Sequence, residues 1–263
     1  MTRGFGVAAG LPNEVATSLA VRCAELGYGS LWSNDHPAAS GLETLAAFSA
    51  GTDELELGIA VLPLDRHSPR EINARIDELG LERDRLRLGV GAGFSKRPLT
   101  TMRAALPELR EAIPGVRLVL AAMGPKMSRL AGAEYDGAFL NWMTPDAAAT
   151  SRGRIHDGAA EARRDPPPVL GYVRVAVGDD AERRLAKEEA FYRDLHDGYR
   201  SHFARLGEPP GTIGVAAGSA DAARAALSEY GALDVTVVRG LASATAEAMD
   251  AVATAAAEPG AGG

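Results

Sequence analysis

The chain has 263 residues, 46% of them apolar, and a formal charge of −7. That composition excludes a disordered chain, and the length suits one barrel-sized domain better than two small ones. The acidic balance, with Lys and Arg scattered rather than blocked, argues against a nucleic-acid partner and reads as a solubility device.

The chain goes directly into Arg3-Gly-Phe-Gly-Val7 without a basic region and an apolar run, and no stretch approaches the roughly 18 apolar residues of a membrane span. A cytoplasmic protein with no membrane partner is expected. The single cysteine, Cys23, excludes an internal disulfide, and no Cys-x-x-Cys or His-Glu-x-x-His pattern marks a zinc site, so no metal is expected. Cys23 shares a helical stripe with Val15, Leu19 and Leu26 and reads as core.

Along the chain, glycine-bounded apolar runs alternate with helical patterns. The strand candidates are Phe5 to Ala9, Ser30 to Asn34, Leu55 to Leu62, Leu86 to Gly91, Val116 to Ala122, Gly137 to Trp142, Val169 to Val177 and Leu233 to Val238. Most are continuously apolar rather than alternating, as strands covered on both faces of a parallel sheet require. Pro12 to Leu26 and Pro69 to Leu81 are the clearest helices. In the second, Ser68-Pro-Arg-Glu71 is a capping box with proline at the first helical position, and Ile72, Ile76 and Leu79 form one stripe. Eight alternations favour a closed (β/α)8 TIM barrel over an open doubly wound sheet. The barrel domain is expected over residues 1–257. A charged helical insertion over 179–206, broken at Asp197-Gly198, follows the seventh strand and could cover the barrel mouth or make a subunit contact, and a loose tail is expected at residues 258–263.

In such a barrel the chemistry lies at the C-terminal ends of the strands. That filter selects Asp35-His36, Ala60-Val-Leu-Pro63, Gly91-Ala-Gly93, Met123-Gly-Pro-Lys126 and Asn141-Trp142. His36 can exchange a proton near neutrality, with Asp35 as a carboxylate able to hold its ring. Leu88-Gly-Val-Gly-Ala-Gly93 has Phe94 where a dinucleotide fingerprint needs its third glycine, so it reads as a place where backbone meets a planar ring or an isoprenoid-like chain. Gly124-Pro125-Lys126 opens a helix directly after a strand; the free amides there and the Lys126 charge suit a phosphate. Lys96, Arg97, Arg129, Arg152 and Arg154 flank these loops, whereas His67, His156, His196 and His202 fit no motif.

The stretch Ala-Ala-Met-Gly-Pro-Lys-Met over 121–127, then Leu130-Ala-Gly132, Asp136-Gly and Leu140-Asn-Trp142, resembles the luciferase-like monooxygenase superfamily, especially its branch of oxidoreductases using the deazaflavin coenzyme F420. The resemblance spans nearly the whole chain and is strongest from Leu86 to Pro145 and Ser30 to Pro37. It implies hydride transfer between F420 and an unidentified small organic substrate, with His36 handling a proton and Asp35 as its partner. It further implies a non-proline cis peptide at Ala60-Val61 behind the cofactor ring, with Gly91, Gly93, Ala122, Met123, Gly124, Pro125 and Lys126 around the cofactor. Members acting on phosphorylated sugars carry a carboxylate after the fourth strand; Ala92, Gly93 and Phe94 offer none, which argues against sugar dehydrogenation. An FMN-dependent monooxygenase on the same barrel and a non-catalytic cofactor-binding protein are the alternatives. Relatives are commonly homodimers, and the stripe Tyr192, Leu195, Tyr199, Phe203 and Leu206 is expected as an apolar surface for a second copy.

Overall fold

The computed structural model describes residues 2–259. Nine parallel strands form one sheet: β1 (Thr2–Val7), β2 (Ser30–Ser33), β3 (Glu56–Pro63), β4 (Leu86–Gly91), β5 (Arg117–Ala121), β6 (Gly137–Asn141), β7 (Val169–Val177), β8 (Val215–Ala217) and β9 (Val235–Gly240). Their order is β6-β5-β4-β3-β2-β1-β9-β7-β8, and a further β6–β7 pairing closes eight of them into a barrel. The short β8 pairs only with Val175–Val177, beyond the part of β7 that pairs with β6. Between the strands lie α1 (Asn13–Glu25), α2 (Gly41–Ser49), α3 (Pro69–Glu78), α4 (Pro98–Ala112), α5 (Pro125–Glu134) and α6 (Pro145–Glu161). After β7 come α7 (Ala181–Leu195), α8 (Asp197–Leu206), α9 (Ala220–Ser228) and α10 (Ala246–Ala256). The expected (β/α)8 barrel with its insertion after the seventh strand is therefore the observed fold.

Side chains alternate between two cores. Those facing outward join the helices in a large cluster that includes Cys23, Ala92 and Ala122, and burial there raises the Cys23 thiol pKa. Those facing the barrel axis, namely Trp32, Ala60, Val119, Phe139, Leu170, Tyr172 and Val237, fill the lumen. Trp32 meets Phe139 at 5.0 Å and Phe139 meets Tyr172 edge-on at 4.7 Å, each pair contributing about 0.5–1.5 kcal/mol beyond area burial. A Cβ at Gly58 would overlap the Trp32 ring, so β3 must be bare there for the lumen to close.

The insertion breaks one residue earlier than expected, and of the two roles open to it, covering the barrel mouth or meeting a second copy, its aromatic stripe takes the first. The chain turns at His196, which is extended (φ −167, ψ 167) and whose Nδ1 accepts the Gly198 N–H at 3.0 Å, capping α8. Tyr192, Tyr199 and Leu206 pack inward around a cluster of Trp142, Leu185, Phe203 and Ile213. The aromatic stripe thus caps the barrel mouth and is not a free surface; of its members only Leu195 is exposed. Of the tail, Glu258 lies 3.5 Å from the buried Arg3, and residues 260–263 fall outside the described residues.

Candidate active site

Four of the expected residues meet at the C-terminal rim of β3 and β4. Strand β3 carries a bulge between Ile59 and Leu62, the Ala60-Val61 peptide is cis as the resemblance implied, and a Cβ on Gly89 would collide with the displaced Ile59 carbonyl. A Cβ on Gly91 would touch Val61 at 3.1 Å and Ala121 at 3.6 Å. The Val61 side chain therefore lies over Gly91 beside the Ala121 methyl, a wall of small groups that any residue larger than glycine at 91 would crowd. Gly93 has φ +56, and a side chain there would run into the Asp65 carboxylate, which accepts the Phe94 N–H at 2.9 Å. A carboxylate thus does stand at the loop after β4, delivered by the loop after β3 rather than by that loop's own sequence.

Asp35 and His36 occupy the loop after β2 without bonding to each other. The nearly buried Asp35 carboxylate accepts from Arg66 at 2.7 Å, His67 at 2.8 Å and the Gly41 N–H at the start of α2 at 3.2 Å. It ties the β3–α3 loop to α2 and is not the orienter of His36. The exposed His36 takes the Ala38 N–H on Nδ1 at 3.2 Å, which places the proton of its neutral ring on Nε2.

The turn after β5 has the expected geometry, with Gly124 as the extended N-cap of α5 and Pro125 at its first position. Pro125 has no N–H, so the donors are Gly124, Lys126 and Met127. Ala122 turns outward into the helix layer and does not face the mouth. Met123 is gripped from α8: its carbonyl lies 2.9 Å from His202 Nδ1 and accepts from Arg205 at 3.0 Å. Arg205 also lies 3.6 Å from where a Gly124 Cβ would be, and so adds a second cation beside Lys126. Arg129 and Arg152 are instead tied to Asp157, Glu161 and Asp234.

Sequence reasoning missed two residues here, His202 and Arg174, and the conformation of Trp142, which its place at a strand end had selected. His202, buried, sets Nε2 at 2.8 Å from the Trp142 carbonyl while Nδ1 faces Met123, and burial pushes its pKa down. Trp142, at φ +54, carries the Arg174 guanidinium 3.9 Å above its ring, a left-handed conformation that costs a bulky residue about 1–3 kcal/mol. Arg174 also bonds Asn141 and stands beside Tyr192. One signal was available: Arg174 is the only charged residue in the Val169–Val177 run.

The family model described as luciferase-like monooxygenase matches residues 6–114 and 97–261. A 5,10-methylenetetrahydromethanopterin reductase of Methanolobus tindarius is 26% identical over 194 residues, 60% of this chain and 60% of that protein. Among solved structures, an F420-dependent secondary alcohol dehydrogenase in complex with an F420-acetone adduct has TM-score 0.71 at 16% identity, covering 98% of this chain and 99% of that one. The coenzyme F420-dependent tetrahydromethanopterin reductase of Methanopyrus kandleri has TM-score 0.72 at 16% identity, covering 98% and 97%. An FMN complex of a Pseudomonas putida type II Baeyer-Villiger monooxygenase has TM-score 0.67 at 14% identity, covering 98% of each chain. At these identities the solved structures speak for the fold alone, whereas the family model spans nearly the whole sequence, and the chain belongs to the luciferase-like monooxygenase family.

Proposed function

We propose that this protein transfers a hydride between coenzyme F420 and a small organic substrate. The observation that carries the reading is the wall of small groups at the barrel rim, Val61 over Gly91 beside Ala121, suited to a flat ring, with the N-cap of α5 two residues beyond Ala122. The deazaflavin supplies the hydride chemistry when bound. The chain's own part is to bind, orient and exclude water. Gly124, Lys126 and Met127 amides, with Lys126 and Arg205, hold a phosphate. The aromatic cap of Tyr192, Tyr199 and Phe203 keeps the mouth dry. His36 exchanges a proton with substrate oxygen through Nε2, and Asp35 fixes the surrounding loops through Arg66 and His67. F420 is favoured over FMN by the likeness to the F420-dependent secondary alcohol dehydrogenase and the coenzyme F420-dependent tetrahydromethanopterin reductase.

Absorbance titration of purified protein with F420 and with FMN tests the cofactor. We expect saturable F420 binding, FMN weaker by about tenfold or more, and an Arg205→Ala variant that loses F420 affinity several-fold. Tight FMN binding with none for F420 would transfer the protein to the monooxygenase reading. Reduced F420 that binds but is not consumed with a panel of ketones, enones and imines would leave a cofactor-binding protein. His36→Ala should lower kcat while the F420 titration is unchanged.

A further inference from the structure

The lumen ends, at the mouth, in two arginines that no carboxylate contacts among the described residues; Glu188 acts on Arg174 only from a distance. Arg174 of β7 and Arg239 of β9 are register partners across the β7–β9 ladder, so their side chains leave the same face of the sheet. Each lies two residues beyond a lumen residue, Tyr172 and Val237 respectively, which places both above the Phe139 and Tyr172 layer. Arg174 is 2% exposed and its Nε has no hydrogen-bond partner; beside it the Tyr172 hydroxyl and Trp142 Nε1 are also buried and unpaired. Arg239 is 7% exposed, and its guanidinium makes no hydrogen bond or ion pair among the described residues. Arg174 reaches only the Asn141 side-chain oxygen, whereas the buried Arg3 bonds the Ala256 carbonyl and faces Glu258, and the half-buried Arg184 donates to the carbonyls of Leu241 and Val177 and pairs with Asp180. Two neighbouring buried cations repel each other, and leaving their donors unfilled is costly. A barrel keeps such a pair where a ligand supplies the missing negative charge.

We propose that Arg174 and Arg239 form a carboxylate-binding subsite for the substrate, so that the protein acts on small organic acids rather than on neutral alcohols or ketones. Guanidinium forks pair with a planar carboxylate through parallel N–H···O bonds, and the Tyr172 hydroxyl and Trp142 N–H stand by as further donors. The ring of Trp142 below Arg174 and that of Tyr192 beside it, at 3.9 and 5.0 Å, fix the guanidinium plane. The assignment to substrate rests on the function proposed above. In the barrel order β7 stands four strands from β3, on the opposite wall, so a ring lying against the β3 bulge leaves these arginines facing its other side. The phosphate donors gather separately, at the start of α5.

The test uses benzoate and its neutral isostere benzamide on the full chain without cofactor, read by the fluorescence of Trp32 and Trp142, both of which lie in the barrel. Saturable quenching by benzoate is expected, with benzamide weaker by about tenfold or more, and with the benzoate response lost in Arg239→Gln and partly restored in Arg239→Lys. Arg239 carries the test because Arg174, stacked in the cap, is the position whose loss threatens folding; equal melting temperatures of the Arg239 variants and the parent confirm that the fold is intact. F420 titration of Arg239→Gln separates the two proposals. Cofactor affinity retained while benzoate binding is lost is the expected pattern, and benzoate binding without any F420 binding would sink the cofactor reading alone. Equal responses to benzoate and benzamide, an unchanged benzoate response in Arg239→Gln, or inorganic phosphate binding more tightly than benzoate at this pair would overturn the carboxylate subsite.

Discussion

His202 sets two backbone carbonyls against a ring that carries a single N–H when neutral. Met123 and Trp142 each come within 2.9 Å, so one contact lacks a hydrogen until the ring takes a second proton. Burial opposes that protonation and is the largest influence, holding the pKa below its ordinary value of 6.5. The unfolded chain, with an ordinary imidazole, therefore binds the proton first on acidification. Stability from this ring is fully present above about pH 6.5 and falls as the pH drops toward the folded-state value, by at most about 1.4 kcal/mol per pH unit. Urea titrations between pH 7 and 5 should show this fall in the parent and a shallower one in His202→Gln, whose amide still donates to one carbonyl; identical pH profiles would remove the account. Gly93 gives a second residue-scale expectation. Its φ of +56 and the adjacent Asp65 carboxylate leave no room for a methyl group, so Gly93→Ala should lose about 1–3 kcal/mol in the same assay. These constraints differ in how well the sequence exposes them. Arg174, alone among apolar residues in β7, can be read as a charge with a task, whereas His202 bonds to carbonyls some 60 and 79 positions away and leaves no local trace. Asp35 shows the opposite error, since adjacency in sequence suggested His36 and folding delivered Arg66 and His67 instead.

Elements with strong local chemistry form where their sequence says. In α3 the Ser68 hydroxyl accepts the Glu71 N–H at 3.3 Å and the Glu71 carboxylate accepts the Ser68 N–H at 2.8 Å; Pro69 stands at the first position and Ile72 and Ile76 are buried. The exchange also lowers the Glu71 pKa through these bonds. Ser68→Ala should therefore cost about 1 kcal/mol in denaturant, with F420 affinity unchanged because α3 contributes nothing to the phosphate turn. A loss below about 0.3 kcal/mol would mean that packing of Ile72 and Ile76 alone sets this helix. The barrel strands are legible for a related reason: runs buried on both faces tolerate little but apolar residues and glycine. β8 was not legible, because Val215-Ala-Ala217 is only three residues long, weak in strand propensity, and paired solely to the tip of β7. The cap, α7 and α8, was legible as helix but not as to its face. Periodicity places Tyr192, Tyr199 and Phe203 on one side, and only the fold decides whether that side meets the barrel or another molecule.

At the scale of the whole molecule, closure of eight strands leaves a free edge only on the three-residue β8, so assembly falls to side-chain surfaces. Among the described residues the large apolar side chains left exposed are Val21, Phe94, Phe191 and Leu195. Three of them lie together: Phe191 and Leu195 are four apart on α7, and Phe94, 71% exposed, meets His196 edge-on at 5.3 Å. This patch joins the loop after β4 to the break between α7 and α8, beside the proposed cofactor wall. A homodimer remains our proposal for the assembly, with this patch in place of the inward-packed aromatic stripe. Light scattering at micromolar concentration should then return about twice the chain mass of 27.4 kDa, and Phe191→Ser with Leu195→Ser should return a single chain mass with an unchanged melting profile. A single-chain mass for the parent would reject the dimer. A dimer that survives both substitutions would place its interface elsewhere, and the exposure of Phe94 beside Gly93 would then read as a lip of the substrate entrance.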